Sequence, residues 1–406
     1  MRYIQTALLF IGIFCAVFAT AKPVTAPRII GGTAVSAGVY PWLVSVQFDG
    51  DFVCGGSLVA DKWVLTAAHC VTDGAAEDYS VRVGVQDLSN ANQGETRTVD
   101  KIILHPDFSY DTLANDIALV GFSTAVTAKP VALLTSTAFS GLITGQNLAV
   151  AGWGATNTSG SVYASILQRA MVPLVDHVEC AASYATGDIT ITDKMVCAGG
   201  SVTDSCFGDS GGPLFQQTDE SAEAQQVGVV SFGASGQCAD GFPGIYTRVD
   251  AYADFIAAAT QGWLESIDLG AVEINDSITR QITFTNQSSA AVVFTGVTED
   301  FDGVVNLTDN TCLNIALAVG DSCSFSLMAK PTTVGDLAGN ITFTSAEDIQ
   351  LTYHVTAQVT LPLLHATSSG ALDSVSFMVL LGVVLLISLY RKRSLGRKRL
   401  MQRKII

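Results

Sequence analysis

The chain has 406 residues and a formal net charge of −16 at pH 7, and this length allows two or three domains, each with its own core. Because eight of the 21 basic residues lie in residues 391–406, the rest of the chain is strongly acidic. Such a surface repels nucleic acids and anionic membranes, so we expect neither as a binding partner of the acidic part.

The first 21 residues are predicted to be a secretory signal peptide. Arg2 precedes an apolar run over 7–18, and Ala19-Thr20-Ala21 forms a small-residue cleavage site. The run is short for a membrane anchor, which is the alternative. Residues 22–28 then form a short propeptide, and we expect the protein to be exported.

The cysteines fit an exported protein. Cys15 falls within the signal peptide, which leaves eight cysteines, an even number typical of disulfide-bonded chains. Spacing alone does not assign the pairs. Because no Cys-x-x-Cys pair is found, the pattern weighs against a zinc site, and we predict no metal and no cofactor.

Residues 40–165 contain short apolar or alternating runs, such as 42–48, 63–65 and 81–83, separated by Gly, Asp and Asn. This pattern predicts antiparallel β-structure with little helix. Further along, Tyr252, Phe255 and Ile256 have helical spacing and predict a closing helix over 250–259.

Three polar residues stand out. His69 ends one apolar run, Asp116 lies inside another, and Ser210 follows Gly208 in a glycine-rich stretch. A buried acid is costly unless paired, and an imidazole between the acid and the hydroxyl would satisfy both. A serine nucleophile also needs amide donors for an oxyanion, which Gly208 and Ser210 can supply. Alone, each residue could be structural; together they predict nucleophilic catalysis.

These segments resemble those of the trypsin-like (chymotrypsin-fold) serine proteases over residues 29–262, together with Arg28-Ile29-Ile30-Gly31-Gly32 and Ser231-Phe232-Gly233. The resemblance implies an all-β fold of two antiparallel six-stranded β-barrels with the active site between them. It also implies a serine endopeptidase with His69 as general base, Asp116 as its orienting acid and Ser210 as nucleophile. The alternative is a non-catalytic surface binding protein on a protease scaffold, although such proteins usually lose one of the three residues.

The resemblance also implies a substrate class. Asp204, six residues before Ser210, matches the base of the pocket that receives the substrate side chain, where an acid selects Arg or Lys. Gly233 and Gly244 match the pocket walls, and Ser231 matches the serine that hydrogen-bonds the triad acid. The expected partners are protein substrates with Arg or Lys before the scissile bond.

Activation by cleavage is a further implication. In the family, a cut corresponding to the Arg28–Ile29 bond frees an ammonium group that pairs with the acid at Asp209. The chain would then be made as a zymogen. The alternative is that Arg28 is a linker residue and Asp209 a turn former.

The resemblance implies disulfides Cys54–Cys70, Cys180–Cys197 and Cys206–Cys238, which leaves Cys312 and Cys323 for each other. The segment 84–95 matches in length a loop that binds calcium in some relatives. Val85 and Asn92 replace acids expected there, and they weigh against calcium.

Residues 266–360 are predicted to form an immunoglobulin-like β-sandwich, because alternating Ser/Thr-rich runs follow one another with regular turns. They resemble choice-of-anchor and ASPM/SPD-2/Hydin-like modules. No catalytic constellation lies in them, and we expect a non-catalytic spacer or adhesion domain.

The C-terminal part is predicted to comprise a linker (361–372), a transmembrane helix (373–390) and a basic cytoplasmic tail (391–406). Ser369-Gly370, the apolar helix and the basic cluster resemble GlyGly-CTERM sorting signals, which a rhomboid-type protease removes. The protein would be membrane-bound through this helix before processing, and secreted or at the cell surface afterwards. The alternative is a permanent anchor with the protease outside the cytoplasm.

Overall fold

The computed structural model describes residues 29–362 except 186, 188–189, 218–221, 235–236, 289 and 347–348. The predicted signal peptide, propeptide, transmembrane helix and basic tail lie outside the described residues, as does most of the linker. In the part of the chain that is described, no helix is long and apolar enough to cross a membrane.

The first unit is built from short strands, as the alternating runs predict. In chain order they are β1 (Thr33–Ala34), β2 (Leu43–Phe48), β3 (Asp51–Ala60), β4 (Trp63–Thr66), β5 (Tyr79–Val83), β6 (Glu95–Thr98), β7 (Lys101–Leu104), β8 (Ala118–Gly121), β9 (Ala132–Leu133), β10 (Asn147–Gly152), β11 (Gln168–Val175), β12 (Met195–Ala198), β13 (Pro213–Gln216), β14 (Gln225–Phe232) and β15 (Gly244–Arg248). The helices are α1 (Ser136–Phe139), α2 (His177–Ser183) and α3 (Ala253–Thr260), with 3-10 turns at Ala68–Val71, Ala76–Asp78 and Asp250–Tyr252.

Six strands of the first unit form a closed barrel. Their order is β11-β10-β13-β14-β15-β12, and β12 pairs back with β11, so the ring is complete. The short strands β1 and β9 extend this sheet from β11 and β14. This barrel agrees with the prediction for one half of the protease fold.

The other sheet differs from the predicted closed barrel. It has seven strands in the order β6-β5-β2-β3-β4-β8-β7, and the described strands β6 and β7 do not pair with each other. Only Val99 and Asp100 connect β6 to β7, which lie at opposite ends of the strand order. A two-residue connection keeps these two edge strands close together, so the sheet is strongly curved. No ladder hydrogen bonds join β6 to β7, and we call this incompletely closed sheet the half-barrel.

The two sheets meet through a shared core. Phe215 of β13 packs edge-on against Tyr40 and Trp42, with ring centroids 5.1 and 5.2 Å apart. Ser57 of β3 donates a hydrogen bond of 2.6 Å to Gln226 of β14. These contacts fix the crevice between the sheets, where the polar residues singled out above lie.

The second unit consists of two sheets around one core. Its strands are β16 (Leu264–Glu273), β17 (Ile278–Thr285), β18 (Val292–Glu299), β19 (Val305–Thr308), β20 (Ala316–Leu317), β21 (Ser322–Ala329), β22 (Gly335–Ser345) and β23 (Gln350–Thr360). One sheet has the order β16-β23-β22-β18-β20, with β16 parallel to β23, and the other has the order β17-β21-β19. Two stacked sheets are expected for a sandwich; the immunoglobulin-like assignment stays a prediction.

Consecutive residues join the two units. Trp263 is buried in the core of the second unit, whereas Leu264 is buried in the core of the first. The next residue, Glu265, forms an ion pair of 2.7 Å with Lys101 of β7. Because neighbouring residues of an extended chain point to opposite faces, the segment from Trp263 into β16 contributes to both cores.

Candidate active site

His69 and Asp116 form a buried pair at the crevice. His69 lies in the 3-10 turn after β4, and Asp116 lies just before β8. The Asp116 carboxylate accepts hydrogen bonds from His69 Nδ1 (2.8 Å), His69 N (2.9 Å) and Ser231 Oγ. Because a carboxylate only accepts, Nδ1 carries a hydrogen, which leaves Nε2 as the ring nitrogen that can accept a proton.

The environment of Asp116 keeps it ionised. Burial alone would raise the pKa of this carboxyl, but the His69 imidazole and the hydrogen bonds from His69 and Ser231 outweigh burial and lower the pKa below its usual value. Thr247 of β15 also donates to the Asp116 carbonyl at 2.8 Å. The closed barrel therefore helps to hold an acid that belongs to the half-barrel.

Ser210 and Gly208 lie in the loop before β13. The Ser210 carbonyl accepts a hydrogen bond of 2.8 Å from the Gly55 amide, which ties this loop to β3. Gly208 has φ 90°, a conformation that favours glycine. Both residues line one cleft of about 1050 Å³ together with His69. No hydrogen bond of the described residues joins Ser210 Oγ to the His69 ring, although both residues line the same cleft.

Asp204 is a buried acid, and one of its carboxylate oxygens lacks a hydrogen-bond partner among the described residues. Its side chain is 2% exposed, Oδ2 accepts a hydrogen bond of 3.1 Å from the Ala239 amide, and Oδ1 has no hydrogen-bond partner among the described residues. Burial raises the pKa of Asp204 to about 7. A Cβ on Gly199 or Gly244 would come within 3.0 or 3.1 Å of Oδ1. The glycines therefore leave space at this oxygen.

The other two residues assigned to the pocket lie at the end of β14 or just after it. Ser231 contacts Asp116, as the resemblance implies. Gly233 is the first residue after β14 and is partly exposed.

Asp209 is a second buried acid. Its carboxylate accepts hydrogen bonds of 2.9 Å from the amides of Gly154 and Cys206, and burial raises its pKa to about 7. No ion pair among the described residues involves it. Ile29 is fully buried in the core of the closed barrel, whereas Arg28 lies outside the described residues.

The comparisons with known proteins agree with this geometry. The family model described as trypsin matches residues 29–256, more than half of the chain. The chain belongs to the trypsin family of serine proteases. Together with its relatives, the match identifies a trypsin-like serine endopeptidase.

Two relatives of this trypsin-family chain illustrate the similarity. It is 38% identical over 248 residues to trypsin-1 of Astacus astacus, covering 57% of this chain and 99% of that protein. It is 37% identical over 257 residues to phenoloxidase-activating factor 3 of Holotrichia diomphalia, covering 56% of this chain and 71% of that protein.

Two solved structures from Vibrio cholerae are also similar. The secreted serine protease VesC superposes with a TM-score of 0.67 at 25% identity, covering 81% of this chain and 71% of that one. The VesB protease superposes with a TM-score of 0.67 at 28% identity, covering 82% of this chain and all of that one. Both superpositions cover more of the chain than the trypsin match does.

Four disulfides brace this trypsin-family protease: Cys54–Cys70, Cys180–Cys197, Cys206–Cys238 and Cys312–Cys323. The first three are the pairs that the resemblance implies, and the fourth joins the two cysteines that those pairs leave. Cys54, His69 and Cys70 lie close enough together to suggest a metal site. However, sulfurs bonded to each other cannot bind a metal as thiolates, so this cluster does not fit one.

Arg82 is a structural residue that the sequence analysis missed. It is 7% exposed on β5, and its guanidinium donates to the carbonyls of Leu88 (3.3 Å), Asn90 (2.6 Å) and Gln93 (2.9 Å). These carbonyls belong to the segment 84–95, whose length suggested a calcium loop. The protein's own guanidinium supplies a cation there.

We expect Arg82→Met to lower the free energy of unfolding by about 3 kcal/mol, because three carbonyls lose a charged donor. Urea unfolding followed by tryptophan fluorescence measures this loss. Lys62→Met is the matched control, because it removes one positive charge from an exposed position between β3 and β4, and it should cost less than about 1 kcal/mol. Equal losses in the two variants would contradict a special role for Arg82.

Proposed function

We propose that this protease hydrolyses peptide bonds after Arg or Lys with a triad of His69, Asp116 and Ser210. The single observation that carries the substrate class is the buried Asp204 carboxylate, whose Oδ1 has no partner among the described residues. A substrate guanidinium or ammonium would supply the missing cation, whereas an apolar side chain would leave the acid unpaired. Release of a chromophore from Arg, Lys and Phe anilides by enzyme beginning at Ile29 tests the proposal; preference for Phe would refute it.

The chemistry follows from the roles of these groups. Ser210 Oγ attacks the carbonyl carbon while His69 Nε2 accepts its proton, and Asp116 stabilises the imidazolium through Nδ1–H. The amides of Gly208 and Ser210 donate hydrogen bonds to the oxyanion. The imidazolium then gives its proton to the leaving amine, and the C–N bond breaks. In the second half of the reaction, water attacks the acyl group while His69 accepts its proton, and Ser210 Oγ leaves with a proton from His69.

We also propose that the chain is a zymogen cut between Arg28 and Ile29. The support is Asp209, a fully buried acid with amide donors and no ion pair among the described residues. A new ammonium group at Ile29 would neutralise this carboxylate and favour the arrangement of the Gly208–Ser210 loop, because a buried charge is stabilised mainly by a partner charge.

Asp209→Asn should therefore lower kcat/KM on an Arg anilide by about 100-fold or more, even when the chain begins at Ile29, because a buried charge pair is lost. The exposed Asp193→Asn is the matched control and should keep its activity. N-terminal sequencing of active enzyme should give Ile29. Full activity in a chain beginning at Lys22 would contradict the proposal.

The remaining proposals concern export and the C-terminal third of the chain. One structural relative is a secreted protease by its title, which supports export. We propose that residues 266–360 are a non-catalytic module and that the helix predicted at 373–390 is removed. Mass spectrometry of exported protein should then show a chain ending near Ser369 or Gly370. Full-length protein ending at Ile406 and confined to the membrane would contradict removal.

A further inference from the structure

The cleft at Ser210 extends away from the Asp204 pocket. The described residues that line it include Ser210, Gly208 and His69, but not Asp204 or Gly244. We proposed above that the substrate side chain before the scissile bond binds at Asp204. The part of the substrate that follows this bond then points into the cleft. His69 lies on this side as well, as a group that protonates the leaving amine must. The residues that follow the scissile bond would therefore occupy the cleft.

The large side chains in the walls of this cleft are apolar, and Ser89, Ser159 and Ser165 lie among them. No Asp, Glu, Lys or Arg side chain lies among the described residues that line it. Its large side chains are aromatic or aliphatic: Phe52, Val53, Leu88, Trp153, Tyr163 and Phe207. A charged side chain entering the cleft would lose water without meeting an Asp, Glu, Lys or Arg of opposite charge, whereas an apolar one would bury surface favourably against the large apolar side chains.

Several contacts hold these walls in place. Phe52 packs edge-on against the buried Trp153, with ring centroids 5.9 Å apart. A Cβ on Gly160 would lie 2.2 Å from the Phe207 ring, so the absence of a side chain at Gly160 lets Phe207 pack against the backbone. Leu88 is held by its backbone, since its amide donates to the Ser165 carbonyl at 2.8 Å and its carbonyl accepts from the buried Arg82. A preformed apolar surface loses little entropy when a peptide binds.

Tyr163 connects this surface to the reacting atoms. Its ring lies 3.0 Å from the point where a Cβ on Gly208 would stand, and Gly208 supplies one proposed oxyanion donor. The Tyr163 side chain is also 56% exposed, so a substrate residue can cover it.

We propose that this cleft selects protein substrates with apolar or aromatic residues in the first two positions after the cleaved bond, and that Tyr163 is a specificity-determining residue for them. The inference rests on the proposed cleavage after Arg or Lys, and it adds a second requirement on the same substrate.

Two quenched fluorescent peptides test this preference. They are identical up to an Arg residue, which is followed by Leu-Phe in one and by Ser-Gln in the other. Neither pair is charged, so the acidity of the protein does not distinguish them. We expect kcat/KM to be at least about tenfold higher for the Leu-Phe peptide, the order of discrimination that apolar pockets give. Equal values, with both peptides cut after Arg, would overturn this inference alone; cleavage of neither would overturn the proposed function and this inference with it.

Tyr163→Ser should reduce the ratio between the two peptides several-fold. Val162→Ser is the matched control, because Val162 is the neighbouring residue, is 42% exposed and does not line the cleft. This variant should keep the ratio of the unsubstituted enzyme. Damage to the fold or the triad would lower both rates without changing their ratio. An unchanged ratio in Tyr163→Ser would therefore overturn the role of this residue.

Discussion

Replacing Ser210 by alanine should lower kcat/KM on Arg and Lys substrates by at least about 10⁴-fold, because no other group can form the acyl-enzyme. His69 and Asp116 keep their mutual hydrogen bonds in this variant, since Ser210 Oγ takes no part in them. The loss should therefore appear in turnover and leave stability nearly unchanged. Steady-state assays of chains beginning at Ile29, together with thermal unfolding curves, measure both properties.

Ser201→Ala is the matched control, because Ser201 is an exposed serine nine residues before the proposed nucleophile. It should retain full activity. A non-catalytic binding protein on the same scaffold would show no turnover in any of the three proteins. Activity that survives Ser210→Ala would contradict the proposed nucleophile.

Asp204→Asn should lower kcat/KM on Arg and Lys substrates by about 10⁴-fold, because a pocket built for a cation loses its charge. Anilide substrates with Arg, Lys and Phe measure the change, and the Phe substrate should be affected far less. A uniform loss on all three would indicate damage to the triad instead of to the pocket.

The same variant should change the pH dependence of stability. Burial raises the pKa of Asp204 from 3.8 to about 7, so the folded protein binds a proton more tightly than the unfolded chain does. Stability from this group is present below about pH 4 and is lost as the pH rises to about 7. Between pH 5 and pH 8, the urea midpoint of unfolding should therefore fall more in the unsubstituted protein than in Asp204→Asn. Asp209 titrates in both proteins, so its effect is largely common to them, apart from its repulsion of the Asp204 carboxylate.

The pairing of His69 with Asp116 could be predicted because polar residues interrupt apolar runs. His69 and Asp116 are conspicuous in this way, and a buried acid needs a partner. The unpaired oxygen of Asp204 could not be predicted from its neighbours in sequence. Its surroundings come from Gly199, Ala239 and Gly244, which only the folded chain brings together.

The alternating pattern of the strands predicts the all-β class, but it does not predict which strands pair with each other. Alternation shows which face of a strand is buried, whereas the partner strand is decided by distant segments. Thr33 pairs with Arg169, for example, and Gln225 pairs in parallel with Ala132. The open seam between β6 and β7 is likewise a property of the whole sheet.

The burial of Arg82 could be predicted from the sequence, but its binding partners could not. It stands between Val81 and Val83 in a strand where all three residues are buried. A basic residue inside an apolar run implies a buried partner. Its partners are backbone carbonyls, which every residue carries, so the sequence does not identify them.

Covalent labelling with an arginine-based diphenyl phosphonate tests the central proposal most directly. A serine nucleophile displaces phenol from such a reagent and keeps the phosphorus group, while the arginine side chain must first bind in the specificity pocket. In enzyme beginning at Ile29, we expect one adduct, located by mass spectrometry at Ser210, and slower labelling by the phenylalanine analogue. An adduct at another residue, no adduct, or faster labelling by the phenylalanine analogue would contradict the proposal.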